Sequence, residues 1–181
     1  MEILKELRKK YNLFKLNKSL KHLKSIGDYN DISHKTIIFH PNKMEIGSYI
    51  YIGPGARINA LGGVEIHDGT IIGPNLSIYS ANHMYKNAKF IPYDESFEFR
   101  RVIIGENVWI GANVILVPGA EIGEGSIIGA GAVVAGKIPP LSIVVGNPCK
   151  IISNRDEREY FELKKEGKIY LKYKKEKKTL K

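Results

Sequence analysis

One cysteine, one tryptophan and no long apolar run set the first limits on this 181-residue chain. Cys149 by itself cannot close an internal disulfide, so nothing here calls for an oxidising compartment, and a cytoplasmic location is the expectation. Lysines interrupt every apolar stretch before Leu23, which argues against a signal peptide. No later stretch stays apolar for the roughly 20 residues that a bilayer-spanning helix needs. Large aromatic packing is scarce, whereas glycine is abundant at 18 residues, pointing to an architecture of turns and small side chains. The formal charge of +9 is terminal. Residues 1–24 hold eight Lys or Arg against two Glu, and residues 155–181 hold eleven against six acids, whereas 25–154 carry nine against eleven. A nucleic-acid reader would carry positive charge on its folded surface beside a recognisable module. Neither is present, and nucleic acid is not an expected partner.

What the chain does contain is a repeat. Ile104, Ile110, Leu116, Ile122, Ile128 and Val134 recur every six positions, with glycine directly after four of them, at Gly105, Gly111, Gly123 and Gly129. Another apolar or small residue stands four positions after each, from Val108 to Ile138. Earlier, Ile46, Ile52 and Ile58, then Ile66, Ile72 and Ile78, obey the same rule. The phase slips at Leu61–Val64 and is interrupted between Tyr79 and Val102. Six is not a helical period, and glycine at this density would cost each helix roughly 1 kcal/mol apiece. Short strands accept it. Alternate side chains of a strand share a face, so positions one and five point inward while glycines supply turns of unusual backbone angle. Successive coils would then stack about 4.8 Å apart, each aliphatic residue resting on its counterparts.

The stretch IIGENVWIGANVILVPGAEIGEGSIIGAGAVVAGKIPPLSIVVGNPCKII, Ile103–Ile152, resembles the bacterial hexapeptide-repeat acyltransferases, specifically the maltose, galactoside and polysaccharide O-acetyltransferase branch. With the weaker repeats the resemblance covers roughly residues 45–152. It implies an all-β chain: a left-handed parallel β-helix of three hexads per coil, assembled as a homotrimer with active sites between subunits. The expected organisation is a basic, helical N-terminal extension and cap over 1–44, the β-helix over 45–152 with an acceptor loop at 79–102, and a basic, helical C-terminal extension over 153–181. The implied reaction moves an acetyl group from acetyl-CoA to a hydroxyl of a sugar or of a cell-surface polysaccharide precursor, with no metal required. N-acylation of an amino-sugar nucleotide and a non-catalytic assembly role remain as alternatives. A metal-dependent carbonic anhydrase on the same scaffold would need three histidines, two of them close together on the coil, and that pair is missing.

An alcohol is a poor nucleophile at neutral pH, so transfer onto a hydroxyl needs a base, and histidine suits the task. His83 stands in IYSANHMY, where a hexad series ends and the interruption begins, and the family places its catalytic histidine at this point. Asn59, in ARINA, aligns with an asparagine that contacts the acceptor in relatives, although an asparagine at a corner also satisfies turns. Asn82 and Tyr85, which flank His83, complete the substrate-binding candidates. The family stabilises the oxyanion with a main-chain N–H that falls here on Ala112. Coenzyme A is expected against Trp109, Ala112 and Ala130, with Lys137 and Lys150 toward its phosphates. Trp109 suits a subunit interface equally well. Lys137 is displaced by one residue from the family's usual lysine, which leaves its role open, and Cys149 reads as a packing residue. The aromatic and acidic interruption from Tyr79 to Phe99 suits a carbohydrate face or a neighbouring subunit. Both basic ends read as helices that cap the coil, with contact to anionic lipid as the sharper alternative.

Overall fold

Two-to-four-residue strands with inward aliphatic side chains turn at regular corners and wind the chain into a left-handed parallel β-helix. The computed structural model describes residues 2–179; Met1, Leu180 and Lys181, the outermost residues of the two expected extensions, lie outside the described residues. Three sheets form the faces of the solenoid. Face 1 stacks Ser25–Ile26, Met44–Ile46, Val64–Ile66, Val102–Ile104, Glu121–Ile122 and Lys137–Ile138. Face 2 runs from Asp31–Ile32 to Ser142–Val145, and face 3 from Ile37–Phe39 to Val133–Val134.

Parallel register places like on like. On face 2, Ile32, Ile52, Ile72, Ile110, Ile128 and Val144 form one column; on face 3, Ile38, Ile58, Ile78, Leu116 and Val134 form another. Ile52, Ile72, Ile110, Ile58, Ile78 and Leu116 are fully buried, and each such side chain contributes about 1.5–3 kcal/mol over its exposed state. The rungs begin at Ser25, a full turn before the position 45 where the aliphatic spacing becomes legible. Ile26, Ile32 and Ile38 supply that first rung, and its open end is covered by the helix α1 (Glu2–Leu20) through buried Leu16, with Leu20 and Leu23 against the core.

The glycine slot has a different cause from the expected one. Gly53, Gly73, Gly105, Gly111 and Gly123 lie outside the left-handed region, and a Cβ on any of them would stand 2.4–2.9 Å from backbone of the next rung. Close approach of stacked rungs excludes the side chain. Positive φ falls two residues later, at Gly69, Asn107 and Gly125 on one corner and Gly55, Asn75, Asn113 and Gly131 on the next. Asparagine tolerates that region, which explains why the turn positions hide from a search for glycine alone.

Spacing from face 1 to face 2 and from face 2 to face 3 stays at six throughout, and every departure falls at the corner between faces 3 and 1. That corner alone absorbs the phase slip at residues 60–63 and the long interruption.

The C-terminal segment does not cap the far end, as the sequence suggested. A return strand, Lys150–Asn154, pairs antiparallel with Ser142–Val145. Two helices, α2 (Glu157–Lys165) and α3 (Tyr170–Thr179), follow, and α2 begins at Asp156, whose carboxylate accepts from the Glu159 N–H at 2.7 Å. Both helices lie along the corner between faces 1 and 2, because its small residues leave room. A Cβ on Gly125 would meet the Tyr160 ring at 2.8 Å, and one on Gly69 would meet Ile169 at 3.3 Å. Tyr160 donates to Glu124 at 2.8 Å and accepts from Asn107 at 3.2 Å, while Lys164 binds Glu106 and Glu124. Burial, opposed by the Asn107 donor and reinforced by the Glu124 carboxylate, pushes the Tyr160 hydroxyl up to about 12. Hydrogen bonds to the two glutamates raise Lys164 as well.

Two stability measurements follow from this packing. Gly105→Ala places a methyl 2.8 Å from Glu124 N and 2.9 Å from Ile122 O, and in urea unfolding it should cost about 2 kcal/mol or more. Gly136→Ala meets no atom within 4 Å but sits at φ +79, so it should cost only about 1 kcal/mol; a Gly105→Ala cost no larger than that would mean that close approach of the rungs does not set the slot. Because folded Tyr160 holds its proton above the usual tyrosine range near 10, its contribution is complete below about pH 10 and is lost as pH rises toward 12. Tyr160→Phe should cost about 1–2 kcal/mol at neutral pH, and its urea midpoint should fall less than that of the unaltered chain on going from about pH 9 to 11.

Candidate active site

Where face 3 of the third rung ends, Ser80 fixes the exit of the chain from the coil. Its N–H and hydroxyl both donate to the Asn59 carbonyl, at 3.2 and 2.8 Å, and its hydroxyl accepts from Gly62 N at 2.8 Å. Beyond it, Ala81–His83 pairs antiparallel with Phe97–Phe99, His83 opposite Phe97 and Asn82 opposite Glu98. Strand alternation sends His83 and Asn82 to opposite sides of this hairpin. The imidazole stacks on Tyr93 with ring centres 4.0 Å apart and lies against Phe97 at 4.4 Å. Sequence could not single out Tyr93, because nine residues of loop separate it from the histidine it supports.

Asp94 serves the backbone of its own loop. Asp94 accepts from Ser96 N at 2.8 Å and Lys89 N at 3.2 Å, and these bonds, with a smaller contribution from the nearby His83, hold its carboxyl below the usual range. Glu98 is taken by Arg100. Among the described residues no carboxylate hydrogen-bonds the His83 ring. Tyr85 is exposed toward the tip of the loop, with the Lys86 ammonium 6.0 Å from its ring centre.

Below the hairpin, Phe39, His40, Arg57, Asn59, Ile78 and Tyr79 line a hollow of about 180 Å³. The Asn59 side-chain oxygen Oδ1 accepts from Leu61 N at 3.2 Å, so the residue does satisfy a turn, and its side-chain NH₂ carries no partner among the described residues. Arg57 lies over the Phe39 ring at 5.9 Å and meets no carboxylate among the described residues. Arg57 precedes Asn59 by two, which on a strand means the same side; that period was the signal by which sequence reading could have found it.

A second set of groups occupies the corner between faces 2 and 3. In successive rungs Gly53, Gly73, Gly111 and Gly129 donate to the rung above at 2.7–2.9 Å, while Asn75, Asn113 and Gly131 donate to the rung below at 2.8–2.9 Å. The residue between these two donors accepts through its carbonyl at Pro54, Pro74 and Ala112, but its backbone nitrogen has no place in either ladder. It is proline at Pro54 and Pro74, which have no N–H to leave unpaired, and alanine at Ala112 and Ala130. Both alanine amides stay without an acceptor among the described residues. Lys150 stands just beyond them, opposite Val145 on the return strand and free of carboxylates among the described residues. Cys149, next to it, donates its N–H to Val133 O at 3.3 Å and packs on the core.

Trp109 projects from face 2 between Ile71 and Ile127. With Asn107, Tyr160, Ile169 and Tyr170 it lines a hollow of about 260 Å³ against the C-terminal helices. Lys137 lies apart from all of these, on face 1, paired with Glu121 at 2.8 Å. No group of three His, Cys, Asp or Glu among the described residues could hold a metal ion.

The family model of the bacterial transferase hexapeptide, six repeats, matches residues 101–136. The chain is 33% identical over 101 residues to the galactoside O-acetyltransferase of Escherichia coli, a match covering 54% of this chain and 49% of that protein. Across four curated relatives it spans between 42% and 65% of their length. Among solved structures, a maltose O-acetyltransferase from Clostridium difficile is similar at 30% identity and a TM-score of 0.69, over 77% of this chain and 73% of that one. A variant of AntD, an N-acyltransferase from Bacillus cereus in complex with dTDP and coenzyme A, is similar at 27% identity and a TM-score of 0.68, over 83% and 94%. With its stacked rungs, its glycine slot and these relatives, the chain belongs to the hexapeptide-repeat, left-handed β-helix acyltransferases.

Proposed function

We propose that this protein transfers an acetyl group from acetyl-CoA to a hydroxyl of a sugar or of a cell-surface polysaccharide precursor, with His83 as general base. The observation that carries the reading is the main-chain N–H of Ala112, unpaired among the described residues and one rung below that of Ala130, at a corner where the second and third rungs have proline. Preorganised donors of this kind suit oxygen that gains negative charge during reaction. The Ala130 N–H suits an amide carbonyl of the pantetheine arm, and Lys150 suits the nucleotide phosphates. Lys137, held by Glu121, is less suited to that task.

In the proposed step a ring nitrogen of His83 takes the proton of the acceptor hydroxyl while its oxygen attacks the thioester carbonyl. The carbonyl electrons move onto oxygen, where the Ala112 N–H donates. Collapse restores the carbonyl and breaks the C–S bond; the proton on His83 passes to the departing sulfur, leaving an acetyl ester and the free thiol of coenzyme A. Asn59, through its unbonded NH₂, and Arg57 line the hollow beside the hairpin and offer donors to sugar hydroxyls. Asn82 and Tyr85, both exposed on the loop, offer further ones.

The two halves of this machinery lie at opposite edges of face 3. That face is about six residues wide, or ~20 Å at the strand rise, whereas the three residues from Ser80 to His83 span at most ~10 Å. A site completed by the Ala112 corner of a second copy fits these lengths, which supports a homotrimer with active sites between subunits. A second reading, N-acylation of an amino-sugar nucleotide, is favoured by the likeness to the dTDP-bound N-acyltransferase. Thiol release from acetyl-CoA across a panel of hydroxyl sugars and amino-sugar nucleotides separates the two.

In the same assay, His83→Ala should lose about 10²–10⁴-fold in turnover, with an unchanged thermal midpoint because the side chain is exposed; full turnover in that variant would remove the assignment. Ala112→Pro should keep the fold, since Pro54 and Pro74 occupy the equivalent place, yet lose about 10²–10³-fold in kcat. Ala130→Pro should instead raise the KM for acetyl-CoA.

A further inference from the structure

The helix α1 is apolar on two opposite sides, and the β-helix uses only one of them. At about 100° per residue, Leu16 and Leu20 share the side that meets the first rung. Ile3, Leu4, Leu7, Tyr11 and Phe14 fall within a sector about 100° wide, roughly opposite that side. They touch little: Ile3 is 77% exposed, Leu7 57% and Phe14 67%. Cations border this stripe, and Lys18 ends it one turn beyond Phe14. Lys10 lies along one edge, Arg8 and Lys15 along the other, and the Lys15 ammonium sits 4.7 Å from the Tyr11 ring centre. The helix holds six Lys or Arg against Glu2 and Glu6. The C-terminal helices run back toward the same end, with Ile169 against Gly69 of the third rung and Tyr170 beside it. The basic C-terminal segment therefore runs toward the end of the solenoid that α1 covers.

We propose that the outward face of α1 docks this protein on an anionic lipid surface. A helix with an apolar stripe and cationic margins lies in the plane of the interface, its apolar side among the acyl chains and its lysines among acidic headgroups. No helix of the described residues is long and apolar enough to cross a membrane, so the contact is peripheral. Pairing of two copies, stripe to stripe, would bring the cationic margins of both helices together, and charge complementarity favours the lipid surface over a second copy. The proposal is independent of the acceptor and of the acyl-transfer reading.

Flotation of the full chain with vesicles of equal parts phosphatidylglycerol and phosphatidylcholine, at physiological ionic strength, tests the idea without any enzymatic readout. The unaltered chain should float with these vesicles and not with phosphatidylcholine alone. Leu7→Glu with Phe14→Glu, and separately Arg8→Gln, Lys10→Gln and Lys15→Gln together, should each lower the bound fraction about tenfold or more. All these side chains lie on the solvent side of α1, so the thermal midpoints should stay in place. An unaltered chain that leaves the anionic vesicles bare, or a double glutamate variant that floats as well as its parent, overturns the proposal. A change of oligomeric state in that variant, with no vesicle binding by the parent, also overturns it and assigns the stripe to self-association.

Discussion

Parallel strands bonded rung to rung keep a fixed spacing of about 4.8 Å, and in this chain that spacing governs nearly every other choice. Each inward side chain must fill the space between its counterparts above and below, which selects isoleucine, leucine and valine of similar volume along a whole column. Each corner must turn within a few residues while neighbouring backbones remain in contact. Hence the slot directly after the aliphatic residue takes glycine for want of room, and the position two further on takes glycine or asparagine for backbone angle. Two physical demands produce what a reader of the sequence meets as one glycine-rich pattern.

A solenoid under that constraint tolerates insertion only where a corner can lengthen without breaking the ladder. Here the corner between faces 3 and 1 takes every irregular spacing, from the turn at His40 to the twenty-odd residues that carry His83. The same regularity generates the donors of the proposed site. At the corner between faces 2 and 3, one amide per rung lies outside the hydrogen-bond ladder; proline removes it in the second and third rungs, and alanine retains it in the fourth and fifth. The proposed chemistry thus draws on an unused backbone group of the fold and on a side chain borne by its one adaptable corner.

The two ends of the chain solve different problems. The first rung would expose its column of isoleucines to water, and α1 covers it with a few leucines while leaving an entire side of the helix unpaired. At the other end, α2 and α3 find a better partner along the small-residue corner than over the last rung. Tyr160 and Ile169 enter gaps left by Gly125 and Gly69, and Lys164 joins glutamates of two consecutive rungs. Such a strap ties rungs together along the solenoid, where stability otherwise depends on nearest neighbours alone.

Periodicity by itself determined that this chain forms stacked rungs, because a six-residue aliphatic repeat matches strand and corner geometry and no helix. It did not reveal the first rung, whose Ile26, Ile32 and Ile38 lack the following glycines at two of three positions. Composition showed that the charge sits at the ends, whereas the course of the C-terminal end depended on gaps beside Gly69 and Gly125 that exist only once rungs are stacked. The place of His83 at the exit from the coil was legible from the break in the repeat. The support of His83 by Tyr93, the hollow that joins Phe39 and His40 to Arg57, Asn59 and Tyr79, and the separation of Lys137 from Lys150 required the folded chain, since their distances in space bear no relation to their distances in sequence.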